Sequence, residues 1–93
     1  NYAAAAGAAD AALAEAAGSA TPLILAAIAN VGIGRIDRAT AAFARLQAIA
    51  PTLVEARLAG RWLSTNPDYL ARAHMFFRIA AGLAPAEAAD ALR

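Results

Sequence analysis

The chain of 93 residues has no cysteine, no lysine, one histidine, one tryptophan and a formal net charge of only +1. Each scarcity removes a class of function. Without cysteine there is no disulfide framework, no thiolate nucleophile and no cysteine metal site, which fits a cytoplasmic protein. The lone His74 has no second histidine, cysteine or carboxylate at ligand spacing, so no metal is expected and a structural role suffices for it. A charge of +1 exerts no general pull on nucleic acid or on an anionic membrane surface. The longest apolar stretch, Pro22 to Ile33, is interrupted by Asn30 and falls short of the roughly 20 residues that span a bilayer. No basic segment precedes an apolar run, so no signal peptide is expected. The first residue is asparagine, and the chain is expected to be part of a larger protein.

What is abundant is alanine, roughly a third of the residues and much of the 61% hydrophobic content. Alanine has the best intrinsic helix propensity and buries little area per residue. The composition therefore predicts closely packed helices and not a thick core of large side chains. All the basic residues are arginine, a mark of GC-rich bacterial coding rather than of any binding chemistry.

Punctuation divides the chain into an expected five to six helices. The first runs Tyr2–Ala17 and ends at Gly18-Ser19. Thr21-Pro22 offers a cap followed by proline for a second helix to about Gly32. A third runs from about Ile36 to Ala50 and stops at Pro51. Thr52-Leu53-Val54-Glu55 has the form of a capping box, predicting a fourth helix to about Leu63. Asn66-Pro67 opens a fifth that ends near Gly82, and Pro85 opens a short sixth through Leu92. No segment alternates as a half-buried strand does. The expected class is all-α, in one domain covering 1–93.

The sequence also resembles itself. Ile36, Ala39, Phe43, Leu46 and Pro51 recur as Leu70, Ala73, Phe77, Ala80 and Pro85, each pair 34 residues apart, with Arg38 and Arg72 at the same offset. A small residue lets two helices approach, an aromatic fills the gap one turn later, and proline ends the helix. On these residues the chain resembles the tetratricopeptide repeat family. Gly34, Ile36, Ala39, Phe43 and Pro51 match the turn and second helix of its consensus. Pro22–Val31 departs from the first helix, with Leu23 in place of the usual tryptophan and Ala27 in place of the usual glycine. The resemblance implies antiparallel helix pairs stacked as a right-handed α-solenoid fragment. Residues 1–18 would be the second helix of a truncated repeat, 20–51 a central repeat, and 52–93 a degenerate last repeat with a terminal helix.

A narrower likeness covers about Ala27 to Pro85. The run Gly34-Arg35-Ile36-Asp37-Arg38-Ala39 to Leu46, then Pro51, Asn66-Pro67-Asp68, Arg78 to Leu83 and Pro85, is similar to carboxy-terminal repeats of bacterial adenylate or guanylate cyclases. It is similar also to those of winged-helix transcriptional regulators. The likeness implies a non-catalytic interaction or oligomerisation module closing a signalling protein, or a regulatory segment of a cyclase whose catalytic domain lies elsewhere.

Candidate chemistry is sparse. Asp10, Glu15, Asp37, Glu55, Asp68, Glu87 and Asp90 are scattered, and several suit the positive ends of helices. No catalytic residue, cofactor site or metal site is assigned. Gly32-Ile33-Gly34 is too short for a phosphate loop and follows a helix. Arg35, Arg38 and Arg45 share a face of the third helix, and Arg57 and Arg61 sit on the fourth. A nucleic-acid interface would need more than this stripe, and a solvated face accounts for it.

The second helix is the anomaly. Leu23, Ile24, Leu25, Ile28, Val31 and Ile33 are spread around its circumference, so it should be covered on more than one side. Either the first helix or absent upstream repeats cover it, or an apolar surface takes a partner. In repeat geometry Ile24, Ile28 and Val31 point to the concave face, with Leu58 and Trp62 one period after Ile24 and Ile28. Those five residues are the expected partner-binding set. The occupant would be a second copy, another domain of the parent chain, or a partner helix.

Overall fold

A computed structural model describes all 93 residues, Asn1–Arg93. Five α-helices, α1 (Tyr2–Glu15), α2 (Ala20–Gly32), α3 (Ile36–Ile49), α4 (Pro51–Leu58) and α5 (Pro67–Ala80), are followed by a 3₁₀ turn at Ala86–Ala89. There are no strands.

The start of α1 is capped by Asn1, whose Oδ1 accepts from the Ala4 N–H at 3.1 Å. Its residues Tyr2, Ala6, Ala9 and Leu13 fall on one stripe, and Ala6 and Ala9 are buried. The helix stops at Glu15, earlier than its alanines suggested, because Ala16 leaves helical geometry at φ −143°. In α2 the cap position falls to Ser19 rather than Thr21, and no side chain bonds there. Pro22 still lies in the first turn, where a missing N–H costs no helix bond.

The break between α3 and α4 is a single residue. Pro51 bars the helical conformation to Ala50, which takes φ −145° and ψ 59° and serves as the end of one helix and the start of the next. The Ala50 carbonyl accepts from the Val54 N–H at 3.1 Å. Thr52 is therefore already inside α4, and the expected capping box does not form.

The fourth helix is also shorter than expected. Gly60 takes φ +91°, a conformation open to glycine, and the Arg61 N–H turns back to the Ala56 carbonyl at 3.0 Å. The same closing bond follows α2 at Gly34 and α5 at Gly82. Residues 61–66 consequently run as a non-helical link instead of extending the helix to Leu63. Asn66 then caps α5 as expected, its Oδ1 accepting from Asp68 and Tyr69 at 3.0 and 3.2 Å, with Pro67 at the first helical position. The expected sixth helix is reduced to the 3₁₀ turn.

Helix α2 is the centre of the molecule. Leu23 and every residue from Ala26 to Val31 are buried, covered by α1, α3 and α5. Its one buried polar side chain, Asn30, satisfies its amide within the helix by donating to the Ala26 carbonyl at 2.8 Å. The neighbouring phenylalanines of α5 serve two sides: Phe76 meets Tyr2 of α1 edge-on at 5.4 Å, and Phe77 meets Phe43 of α3 at 5.3 Å. Of the residues spaced 34 apart, Ala39 and Ala73, and Leu46 and Ala80, are all fully buried, whereas Phe43 is half-buried and Phe77 fully buried. The helices enclose α2 within extents of 33 × 26 × 24 Å. An all-round apolar helix requires that enclosure.

Candidate functional site

Where the enclosure of α2 is incomplete, a cleft of about 450 Å³ remains. Ile24, Leu25 and Ile28 form its floor, Trp62 and Leu63 of the 61–66 link form one wall, and Tyr69 in the first turn of α5 closes it. The cleft exists because Gly60 ends α4 early and swings Trp62 and Leu63 across the open side of α2.

Trp62 is held by two neighbours. Its ring meets Phe77 edge-on at 5.4 Å and 89°, and the Arg57 guanidinium lies 5.5 Å from the ring centroid. Arg57 is itself held, donating from Nη1 to the Arg61 carbonyl at 2.8 Å. The indole Nε1 is buried and has no acceptor. Leu63, one residue on, projects into solvent with 89% of its surface exposed, and Tyr69 is 43% exposed.

A second hollow of about 460 Å³ adjoins the first and shares Leu25, Ile28 and Tyr69 with it. Its far wall is Tyr2, Ala5 and Leu92, and Arg72 and Arg93 also line it. These two adjoining hollows, divided at Leu25, Ile28 and Tyr69, are together the trough along α2.

The five expected partner-contact residues divide. Ile24, Ile28 and Trp62 come together in the cleft. Val31 does not belong there: it is fully buried in the core, where α1, α3 and α5 enclose α2. Leu58 is half-buried against the core and does not line the cleft. The period-based placement failed for α4 because Trp62 lies in a link and not in a helix. Leu25, Leu63 and Tyr69 were missed. Gly60 was the available signal, since a glycine there ends α4 and frees the next residues to form a wall.

The arginines have specific employment. Four donate to a backbone carbonyl at or just beyond the C-terminal end of a helix: Arg45 to Ala17 after α1, Arg93 to Val31 in α2, Arg57 to Arg61 after α4, and Arg78 to Leu83 after α5. A guanidinium fork suits these carbonyls and the negative end of the helix dipole. Arg38 lies 3.9 Å from Asp10 with both side chains about 60% exposed, a surface pair of small energetic weight. Arg93 also pairs with Asp90.

No three His, Cys, Asp or Glu side chains gather in one place, and no helix is long and apolar enough to cross a membrane. His74 is half-buried beside Gly60. Compared with protein-family models, curated proteins and solved structures, the chain finds no match in any of the three.

Proposed function

We propose that this chain is a non-catalytic protein-interaction module whose contact surface is the trough along α2. The observation that carries this reading is the wall of Trp62 and Leu63: a pinned indole beside a leucine that is 89% exposed, facing an aliphatic floor. A large apolar side chain exposed to solvent gains most when a partner covers it. The lining offers Thr21 and Ser64 hydroxyls and Arg57 as its polar groups, a set suited to orienting an apolar segment.

The tetratricopeptide-like reading remains part of the proposal. It is supported by the matched burial of Ala39 with Ala73 and Leu46 with Ala80, and by the Phe43–Phe77 contact between the two copies of the motif. The resemblance to the carboxy-terminal repeats of cyclases and regulators supports the further reading that such a module belongs to a cytoplasmic bacterial signalling protein. Upstream coding sequence that carries neither a cyclase nor a winged-helix domain would remove that part.

The surface itself is tested by a photo-crosslinking residue at Leu63, with the same residue at exposed Ala48 of α3 as control, in the native host. Discrete protein adducts from position 63 alone are expected. Identical patterns from both positions, or none from either, refute the reading.

A further inference from the structure

We infer that the trough along α2 accepts an acidic amphipathic helix from a partner protein, an inference that rests on the interaction reading above. Three observations select this occupant. The first is length. From Thr21 to Ile28, residues that line the two adjoining hollows, α2 rises about 10.5 Å. A partner helix with apolar anchors at i, i+4 and i+7 spreads them over about 10.5 Å, which matches.

The second is charge. The charged side chains lining the trough are all arginine, with Arg57 at the Trp62 end and Arg72 and Arg93 in the adjoining hollow, and no carboxylate lines either part. Arg57 and Arg93 already hold backbone carbonyls. Arg72 makes no hydrogen bond or ion pair within the chain and is free to take a carboxylate in forked geometry. Arg93 is paired with Asp90, which leaves Arg57 at one end of the apolar strip and Arg72 at the other as the cations without a carboxylate, complementary to a helix whose apolar stripe is flanked by Asp or Glu.

The third disfavours a second copy of this chain. A two-fold contact sets the same patch against itself, which brings arginine toward arginine with no carboxylate between them.

Trp62 is the only tryptophan and lines the cleft, so its emission reports occupancy. The test uses the intact chain as bait for two displayed libraries of helical peptides. Both randomise Leu, Ile, Phe and Met at the i, i+4 and i+7 anchors. They differ only in carrying Glu or Lys at the flanking positions. The Glu library is expected to enrich about twofold to fivefold over the Lys library, the scale of a rim ion pair. Synthesised winners are expected to shift Trp62 emission saturably, and the affinity should fall at least about fivefold with Arg72→Glu and in high salt.

Leu63→Asp should abolish binding without lowering Tm, because Leu63 packs on almost nothing. Equal enrichment of both libraries, lost in Leu63→Asp, overturns the acidic specificity and leaves the interaction module standing. A dimer by light scattering that Leu63→Asp dissociates does the same, with a second copy as occupant. Enrichment of neither library by a monomeric chain overturns both.

Discussion

Gly32, the last residue of α2, lies directly under the ring of Tyr2. A Cβ placed there would stand 2.7 and 2.8 Å from the two Cδ atoms of that ring, about 1 Å inside ordinary carbon contact. Elsewhere in a helix, Gly→Ala gains up to about 1 kcal/mol, and less at the final residue. At Gly32 the sign should reverse. Tyr2 must lift away, giving up its edge contact with Phe76 at 5.4 Å, worth about 0.5–1.5 kcal/mol, together with the area it buries. Overpacking of this kind costs about 1–3 kcal/mol. A domain of this size has a total stability of about 5–14 kcal/mol, so the loss is readily measured.

Urea denaturation followed by Trp62 emission gives the stability of Gly32→Ala in two backgrounds, with Tyr2 and with Tyr2→Ala. The substitution should destabilise the first by about 1–3 kcal/mol and leave the second unchanged or slightly stabilised. Equal effects in the two backgrounds refute the ring-over-glycine contact. So does a Gly32→Ala chain more stable than its parent while Tyr2 is present.

Three further outcomes follow from the packing. Gly60→Ala should cost about 1–2 kcal/mol through the backbone alone, because a Cβ there meets only the His74 ring at 3.7 Å, whereas Gly7→Ala in open space on α1 should stabilise by about 0.5–1 kcal/mol; thermal melts of the two separate the effects. Phe77→Ala should cost about 3–5 kcal/mol by denaturation and also shift Trp62 emission in the folded state, since Phe77 touches both Phe43 and Trp62. Asn66→Ala should cost about 0.5–2 kcal/mol, and Asn66→Asp should recover most of it, because the cap needs an oxygen for the Asp68 and Tyr69 N–H groups.

Helix class and the α5 cap were legible because they depend on local signals: alanine propensity, proline spacing, and Asn66 before Pro67. The central position of α2 was legible in its all-round apolarity, and α1 proved to be one of its covers. Limits arose where two local signals competed. Thr52 and Glu55 had the form of a capping box, but Pro51 fixed Ala50 as the cap and took Thr52 into the helix. Gly60 outweighed the apolar run through Leu63, and that displaced Trp62 from a helix face to a loop wall. Period alone placed Val31 and Leu58 on a contact surface. Burial moved Val31 into the core, because which side of α2 stays open depends on α5, whose position no local pattern encodes. The roles of the arginines were equally hidden, since Arg93 reaches Val31 and Arg45 reaches Ala17 across long sequence separations.

More than half of the nineteen buried residues are alanine. This inverts the usual map of mutational tolerance. In a core of leucine and phenylalanine, truncation is the common injury and a lost methyl leaves a hole. Here enlargement is expected to be the commoner injury, because Ala27, Ala39 and Ala73 are wholly buried between helices and a larger side chain there must displace its neighbours. Drift in this protein is therefore expected at exposed positions outside the trough, while its buried alanines stay fixed.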